Sequence, residues 1–117
     1  MDTSLIRQNI RNAIKNKRIV VVKHFREDEV LPVETRMIPL DIIQEVRGIA
    51  KQQAYFIGFE VEFIPGPLEE KDFQKLVIES ITVVRITAKN FDPAKPTKLY
   101  RMMKRTPTVG WNIRRDW

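Results

Sequence analysis

The chain contains no cysteine and only one histidine among its 117 residues. Without cysteine, disulfide bonds, thiolate metal sites and cysteine nucleophiles are excluded, which fits a reducing compartment and predicts a cytoplasmic protein. The lone histidine, His24, has no second ligand at a metal-binding spacing, so we expect no metal and no cofactor. The four glycines are scattered and form no phosphate-binding loop. We therefore predict that the protein is not an enzyme.

Long hydrophobic runs are also missing. The longest ones, such as Ile19–Val22, are far shorter than the roughly 20 residues of a membrane-spanning helix. The N-terminal residues are amphipathic and charged, with no apolar signal-peptide core, so we expect neither a membrane segment nor a membrane partner. The composition, 43% hydrophobic and 31% charged residues, is typical of one soluble globular domain.

Acidic residues are scarce in one part of the chain only. Residues 1–87 hold 13 Lys or Arg and 13 Asp or Glu, whereas residues 88–117 hold eight bases and two acids. The whole net charge of +6 therefore lies in the C-terminal region. A neutral body with a basic, aromatic-tipped tail favours a polyanionic partner such as nucleic acid. A solvated tail that only aids solubility is the alternative.

The hydrophobic pattern predicts one helix followed by short strands. Apolar residues at helical spacing indicate a helix over residues 3–17, and we assign its bases to a solvated face. Further along, β-branched and alternating segments indicate five or six strands, with Pro39 as a break and Glu69–Asp72 as a solvated loop: 19–25, 30–38, 41–46, 54–63, 73–78 and 81–87. Strands this close in sequence leave no room for crossover helices, so the sheet should be antiparallel and curl into a small barrel.

Five segments carry local motifs in a recognisable order: Ile10–Ile14 in the helix, the strand Ile19–His24, Arg36–Asp41 with an Arg before a Pro, Ala54–Phe59, and the closing strand Leu76–Ile81. Their order and spacing resemble the WYL domain family, whose members have an SH3-like (Sm-like) β-barrel. Ala54-Tyr55-Phe56 aligns with the Trp-Tyr-Leu segment that defines that family. The resemblance implies the same barrel here.

The resemblance also implies a ligand site. In WYL domains the Tyr and several Arg residues line a groove that binds a ligand, often a nucleotide or an oligonucleotide. Tyr55 and Arg36 are the members of that set present here, so both are implied ligand contacts. Considered as a residue alone, Tyr55 is more commonly a core or rim tyrosine with a hydrogen-bonded hydroxyl. Arg36 alone is more commonly a surface arginine paired with an acid, although its planar guanidinium also suits phosphate.

The tail interleaves basic and aromatic residues, a combination that suits single-stranded nucleic acid because cations meet phosphates and rings stack on bases. The residues predicted to bind nucleic acid are Lys98, Arg101, Lys104, Arg105, Arg114, Arg115 and Trp117. The alternative is that the aromatic and methionine side chains of the tail pack on the barrel and cover one of its edges.

The sequence as a whole predicts an α+β, mainly β domain over residues 1–87, with a helix and an SH3-like barrel of five to six antiparallel strands, and a basic extension over 88–117. As function we predict a small regulatory module that binds single-stranded nucleic acid rather than duplex, or a nucleotide-type ligand. A second hypothesis is a protein-interaction module that docks an acidic partner or forms a homodimer. An enzyme using the paired carboxylates Glu60 and Glu62 is the weakest alternative, since such strand faces are normally solvated.

Overall fold

In the computed structural model, the described residues are 3–26, 29–47, 51–62, 69–93, 112–115 and 117. They form one helix and five strands: α1 (Ser4–Lys15), β1 (Arg18–His24), β2 (Val33–Arg47), β3 (Lys51–Glu62), β4 (Glu69–Val77) and β5 (Ile81–Asn90). A 3-10 turn over Ile78–Ser80 joins β4 to β5. One helix packed on a sheet confirms the predicted α+β, mainly β class. No helix in these ranges is long and apolar enough to cross a membrane.

Helix α1 begins and ends close to where its hydrophobic pattern predicts. Its apolar residues at helical spacing, Ile6, Ile10, Ala13 and Ile14, are all buried. The helix ends where the backbone of Lys17 adopts a positive φ of 54°, a left-handed conformation that turns the chain sharply into β1. The polar side of α1 contains three bases and no acid, and it remains outside the core.

The sheet is antiparallel throughout, with strand order β4-β3-β2-β1-β5, which confirms the predicted strand direction. Only three residues separate the two outermost strands in sequence. That turn spans at most about 14 Å at 3.3–3.6 Å per residue, whereas a flat five-stranded sheet would hold its edges about 19 Å apart. The sheet must therefore bend until β4 and β5 face each other. Among the described residues no pairing joins these two strands, so the sheet stays open along this seam.

Strand β2 corrects the predicted strand boundaries between residues 30 and 47. In place of the predicted strands 30–38 and 41–46 there is one continuous strand, Val33–Arg47, which residues 30–32 precede. The predicted break at Pro39 is a register shift between Pro39 and Asp41 that leaves Leu40 as an extra residue. Opposite the shift lies Gly58, where a Cβ atom would collide with the carbonyl oxygen of Ile38. Close backbone approach therefore requires glycine at this position.

The segment Glu69–Asp72, predicted to be a solvated loop, is the first part of β4. Its backbone pairs with the end of β3, as in the register of Glu62 with Glu69, and Lys71 forms an ion pair with Glu62 at 3.6 Å. Pairing with a neighbouring strand here outweighs the weak strand propensity of the charged residues.

The core consists of two clusters of buried side chains. The larger one joins the apolar face of α1 to residues of all five strands, such as Val20, Met37, Phe56, Leu76 and Ile81, and it includes Ile113 near the C-terminus. The smaller one contains Ile19, Ile38, Leu40, Phe59, Val61 and Phe91. Trp117 contacts both clusters. Ile113 therefore belongs to the folded core, and Trp117 packs against it.

Candidate functional site

The C-terminal residues 112–115 and 117, here called the C-terminal anchor, are attached to the body through Asp41. The carboxylate of Asp41 accepts hydrogen bonds from the backbone N–H groups of Asn112, at 2.9 Å, and of Ile113, at 3.0 Å. Arg115 places Nη2 3.6 Å from the same carboxylate, and the two side chains are only 1% and 4% exposed. The position of Asp41 just after the β2 register shift is what brings its carboxylate to the anchor.

Trp117 completes the C-terminal anchor. Its indole N–H donates to the carbonyl oxygen of Ile14 at 3.0 Å. The same carbonyl, near the end of α1, also accepts a hydrogen bond from the backbone N–H of Lys17. The indole ring meets Phe91 edge to face, with centroids 5.3 Å apart. The guanidinium carbon of Arg115 lies 4.6 Å from the centre of the indole ring. Trp117 thus fastens the end of the chain to the helix and to the start of the basic extension.

These contacts give two of the predicted nucleic-acid contacts partners within the protein. The guanidinium of Arg115, predicted to contact phosphates, is buried against Asp41 and lies over the ring of Trp117. Burial lowers the pKa of Arg115 to about 10, against the opposing influence of Asp41, so the residue remains charged at neutral pH. Trp117, predicted to stack on bases, is partly buried and packs on Phe91. Both residues therefore have a structural role.

Of the other five predicted nucleic-acid contacts, the structure describes only Arg114. Arg114 is an exposed residue of the C-terminal anchor, and its contact with phosphate stays a prediction. The remaining predicted residues, Lys98, Arg101, Lys104 and Arg105, lie outside the described residues.

A cavity of about 540 Å³ lies along the open seam of the sheet, and we call it the seam cavity. It lies between the end of β1 on one side and β3, β4 and the 3-10 turn on the other. The backbone N–H of Phe25 donates to the carbonyl oxygen of Ser80 at 3.0 Å and holds these two sides together at one end. The lining residues are His24, Phe25, Arg26, Tyr55, Gln74, Lys75, Leu76, Val77 and Ser80. The described lining is mixed in character, with two cations and no carboxylate among its residues.

Tyr55 lies in the seam cavity, as an implied ligand contact should. It is 3% exposed, and Lys75 Nζ lies 4.5 Å from the centre of its ring. The same ammonium group forms a surface ion pair with Glu45, and such exposed pairs contribute about 0–1 kcal/mol. An anionic ligand over Tyr55 could therefore replace Glu45 as the partner of Lys75, because little ion-pair free energy would be lost.

Arg36, the other implied ligand residue, does not line the seam cavity. It is exposed on β2 opposite Val21, whereas Tyr55 pairs with Ile43, seven residues further along β2. At about 3.3 Å per residue these positions are roughly 20 Å apart along the strand. The structure thus does not bring Arg36 and Tyr55 into one groove, which corrects the shared site implied by the resemblance.

His24 reaches the seam cavity from the end of β1, but its ring is buried. Its Nε2 atom lies 3.0 Å from the hydroxyl oxygen of Thr35. Burial lowers the pKa of His24 below its usual value, and the charge of Arg26 lowers it further while Glu29 acts in the opposite direction. The imidazole is therefore mainly neutral at pH 7 and serves as a hydrogen-bonded core residue.

A second cavity, of about 370 Å³, lies where α1, β2 and the C-terminal anchor meet, and we call it the arginine cavity. Its lining consists of Arg7, Arg11, Ile42, Gln44, Asn112 and Ile113. The sequence pattern assigned the bases of α1 to a solvated face and so missed this site. The available signal was the charge of α1, whose Arg7, Arg11 and Lys15 follow at intervals of four residues with no acid among them.

Among the described residues, no group of three or more His, Asp or Glu side chains is placed to hold a metal ion. No protein-family model, curated protein or solved structure matches the chain. The resemblance to WYL domains therefore remains a prediction from the sequence motifs.

Proposed function

We propose that this chain is a small non-enzymatic regulatory module that binds single-stranded nucleic acid or a nucleotide-type ligand, built on a strongly bent SH3-like barrel of the WYL type. The observation that carries the proposal is the attachment of the basic extension at both of its ends. Residues 94–111 contain five bases and no acid. The chain before them is held by the hydrogen bond from Phe91 N–H to the Lys17 carbonyl, and the chain after them is held by Asp41.

This double attachment limits how far the five bases can move from the body. A free basic tail pays a large entropy cost when it binds, whereas a loop closed at both ends has fewer conformations to lose. Five bases in one segment whose two flanks are attached to a body of zero net charge favour a local positive potential that attracts a polyanion. The arrangement supports a binding surface more than a tail that only aids solubility.

The helix adds to this surface. Arg7, Arg11 and Lys15 lie on the polar side of α1, and the exposed Arg114 directly follows Ile113, which lines the arginine cavity together with Arg7 and Arg11. We therefore include Arg7 and Arg11, but not Lys15, in the proposed phosphate-binding surface. In this proposal Arg115 and Trp117 do not contact the nucleic acid directly. They hold the surface in place.

The seam cavity supports a nucleotide-type ligand. Its volume lies within the roughly 300–1,000 Å³ of typical small-ligand sites, and Tyr55, Lys75 and Arg26 offer a ring and two cations. The bent sheet with a 3-10 turn between its two edge strands supports the SH3-like arrangement. Tyr55 is the residue we propose for the ligand contact.

The test is fluorescence anisotropy of labelled single-stranded RNA, single-stranded DNA and duplex DNA, titrated with the full chain at several salt concentrations. We expect binding to weaken steeply with salt and to favour single strands. The variant Lys104→Gln/Arg105→Gln should lower the slope of log K against log salt by about 1.4, since each phosphate contact on a single strand contributes roughly 0.7.

The matched control is Lys23→Gln/Arg85→Gln, which removes the same charge from two exposed positions on the neighbouring strands β1 and β5. Its slope should stay within experimental error of the wild-type slope. A response that does not depend on salt, or an equal loss in both variants, would overturn the proposal.

A second candidate function is a protein-interaction module, and exposed apolar residues favour it. Val30 and Leu31, in the connection between β1 and β2, are 91% and 76% exposed, and Phe25 nearby in sequence is also exposed. Sedimentation velocity over a range of concentrations tests a homodimer. A mass that rises with concentration in the wild type and stays monomeric in Val30→Ser/Leu31→Ser would support it, and a monomer at every concentration would exclude a homodimer.

A further inference from the structure

The arginine cavity combines two cations with hydrogen-bonding and apolar groups. Arg7 and Arg11 lie one helical turn apart on α1, so their side chains line the same side of the cavity. Gln44 of β2 and Asn112 of the C-terminal anchor add two amide groups, and Ile42 and Ile113 add apolar surface. The described residues of this lining include no carboxylate.

Within the described part of the chain, no acidic side chain balances the charges of the two arginines. Among the described residues no carboxylate pairs with Arg7 or Arg11, and α1 contains no acid. The buried carboxylate of Asp41, which precedes Ile42, is already occupied by the anchor. Two like charges on successive turns repel each other, and an anion bound between them would convert that repulsion into attraction.

The geometry of Arg7 also favours a bound anion. Its Nε–H donates to the hydroxyl oxygen of Thr3 at 3.0 Å, which restricts the orientation of the guanidinium plane. This bond uses only Nε, so the two terminal nitrogens of this cavity-lining residue remain as potential donors. A guanidinium held in one orientation loses less conformational entropy when it binds an oxyanion.

We propose that the arginine cavity binds a phosphomonoester, the dianionic phosphate found at the end of a nucleic-acid strand or on a nucleoside monophosphate. Such a phosphate carries close to two negative charges at neutral pH, which match two guanidinium groups, whereas an internal phosphodiester carries one. The cavity volume of about 370 Å³ is near the lower end for small-ligand sites and suits one nucleotide. Ile42 and Ile113 provide the apolar contact for its sugar or base.

This site is assembled from parts that are distant in sequence. Asn112 reaches the cavity because its side-chain amide donates to the carbonyl oxygen of Ile42 at 2.8 Å and its backbone N–H donates to Asp41. A ligand that binds only when the C-terminal anchor is docked also stabilises the docked anchor. The inference rests on the proposed function and specifies the chemical group that is recognised.

The test uses the full chain and one labelled single-stranded oligonucleotide prepared in three forms: with a 5′-phosphate, with a 3′-phosphate, and with hydroxyl groups at both ends. A nucleoside monophosphate and its nucleoside are titrated in parallel by calorimetry. We expect at least one phosphorylated form, strand end or mononucleotide, to bind at least tenfold more tightly than its unphosphorylated counterpart. The strand and mononucleotide titrations distinguish the two sources of the phosphate.

The deciding variant is Arg11→Gln, with Lys15→Gln as the matched control. Both remove one positive charge from an exposed position of α1, but only Arg11 lines the cavity. Arg11→Gln should abolish the tenfold preference, Arg11→Lys should restore part of it, and Lys15→Gln should leave it within twofold of wild type. Melting temperatures of all variants check that the fold is kept.

Two outcomes would overturn the inference. If single strands bind with steep salt dependence but a terminal phosphate adds nothing, this inference fails while the proposed function stands. If Lys15→Gln and Arg11→Gln reduce the preference equally, the effect belongs to the general charge of α1 and the cavity is not the site. Absence of binding by every strand and nucleotide would remove both proposals together.

Discussion

Arg115 and the pair Arg7 and Arg11 belong to the same corner of the molecule but have opposite surroundings. Arg115 is buried, has a buried carboxylate beside it and stacks on an indole ring. Arg7 and Arg11 line an accessible cavity and have no acid among the described residues. The comparison teaches that a cation with a buried partner holds the structure, whereas unbalanced cations beside a cavity are available for a ligand. Charge counts along the sequence do not distinguish the two.

The strongest test of this comparison is Asp41→Ala. It would leave the charge of Arg115 buried without its partner and would remove the acceptor of two backbone N–H groups. Loss of one member of a buried ion pair costs about 3–5 kcal/mol of unfolding free energy, and we expect a loss in that range by urea denaturation. Glu45→Ala, on the same strand but in an exposed pair with Lys75, should cost less than about 1 kcal/mol. Equal losses would contradict the structural role of Asp41.

The next effect in size is expected for Trp117→Ala. The substitution removes a ring that contacts both core clusters and a hydrogen bond to Ile14. Because the residue is only partly buried, we expect a loss of about 2–3 kcal/mol, below the roughly 3–5 kcal/mol of a fully buried Trp. The control Leu5→Ala alters an exposed residue of α1 and should change stability by less than about 0.5 kcal/mol. A loss of unfolding free energy no larger than that of the control would contradict the packing of Trp117 on the core.

His24 provides a smaller, pH-dependent test of burial. Because burial and Arg26 lower its pKa in the folded state, the unfolded chain binds the proton more readily, so stability falls as the pH decreases through and below about 6.5. The loss between pH 7.5 and 5.5 should reach at most about 1.4 kcal/mol. Denaturation at both pH values measures it, and His24→Gln should show a smaller change. An equal pH dependence in the two proteins would assign it to other groups.

The smallest effect on stability is expected for Arg11→Gln. The arginine has no structural partner among the described residues and repels Arg7, so its removal should change the unfolding free energy by less than about 0.5 kcal/mol. Arg115→Gln, which removes the same charge, should destabilise the protein several times more because it breaks the buried pair with Asp41. Thermal and urea denaturation of both variants compare them directly. A large loss from Arg11→Gln would assign that residue to structure and not to binding.

Part of the fold was predictable because local patterns determine it. The buried residues of α1 follow helical spacing, and the alternation Phe59, Val61 against Glu60, Glu62 matches the observed strand β3. The continuity of β2 across Pro39 was not predictable, because it depends on the register shift and on Gly58 of the neighbouring strand. The same applies to Glu69–Asp72, whose strand conformation comes from pairing with β3.

The candidate sites were predictable to a lesser degree. Tyr55 could be selected as a ligand residue from its motif, and it lines the seam cavity. The partners of Arg115 could not be foreseen, since Asp41 lies far from it in sequence and neither residue has a local signature for the contact. The sequence pattern placed Arg7 and Arg11 on an ordinary solvated face. The other residues that line their cavity come from β2 and from the C-terminal anchor, both distant from α1 in sequence.

By itself the sequence determined the helix, the antiparallel strands and the concentration of positive charge near the C-terminus, because these depend on local spacing and composition. Only the tertiary structure decided which cations hold the fold and which line a cavity. The reason is physical: the fate of a charge depends on its solvation and on its nearest opposite charge. Both are set by residues that folding brings together from distant parts of the chain.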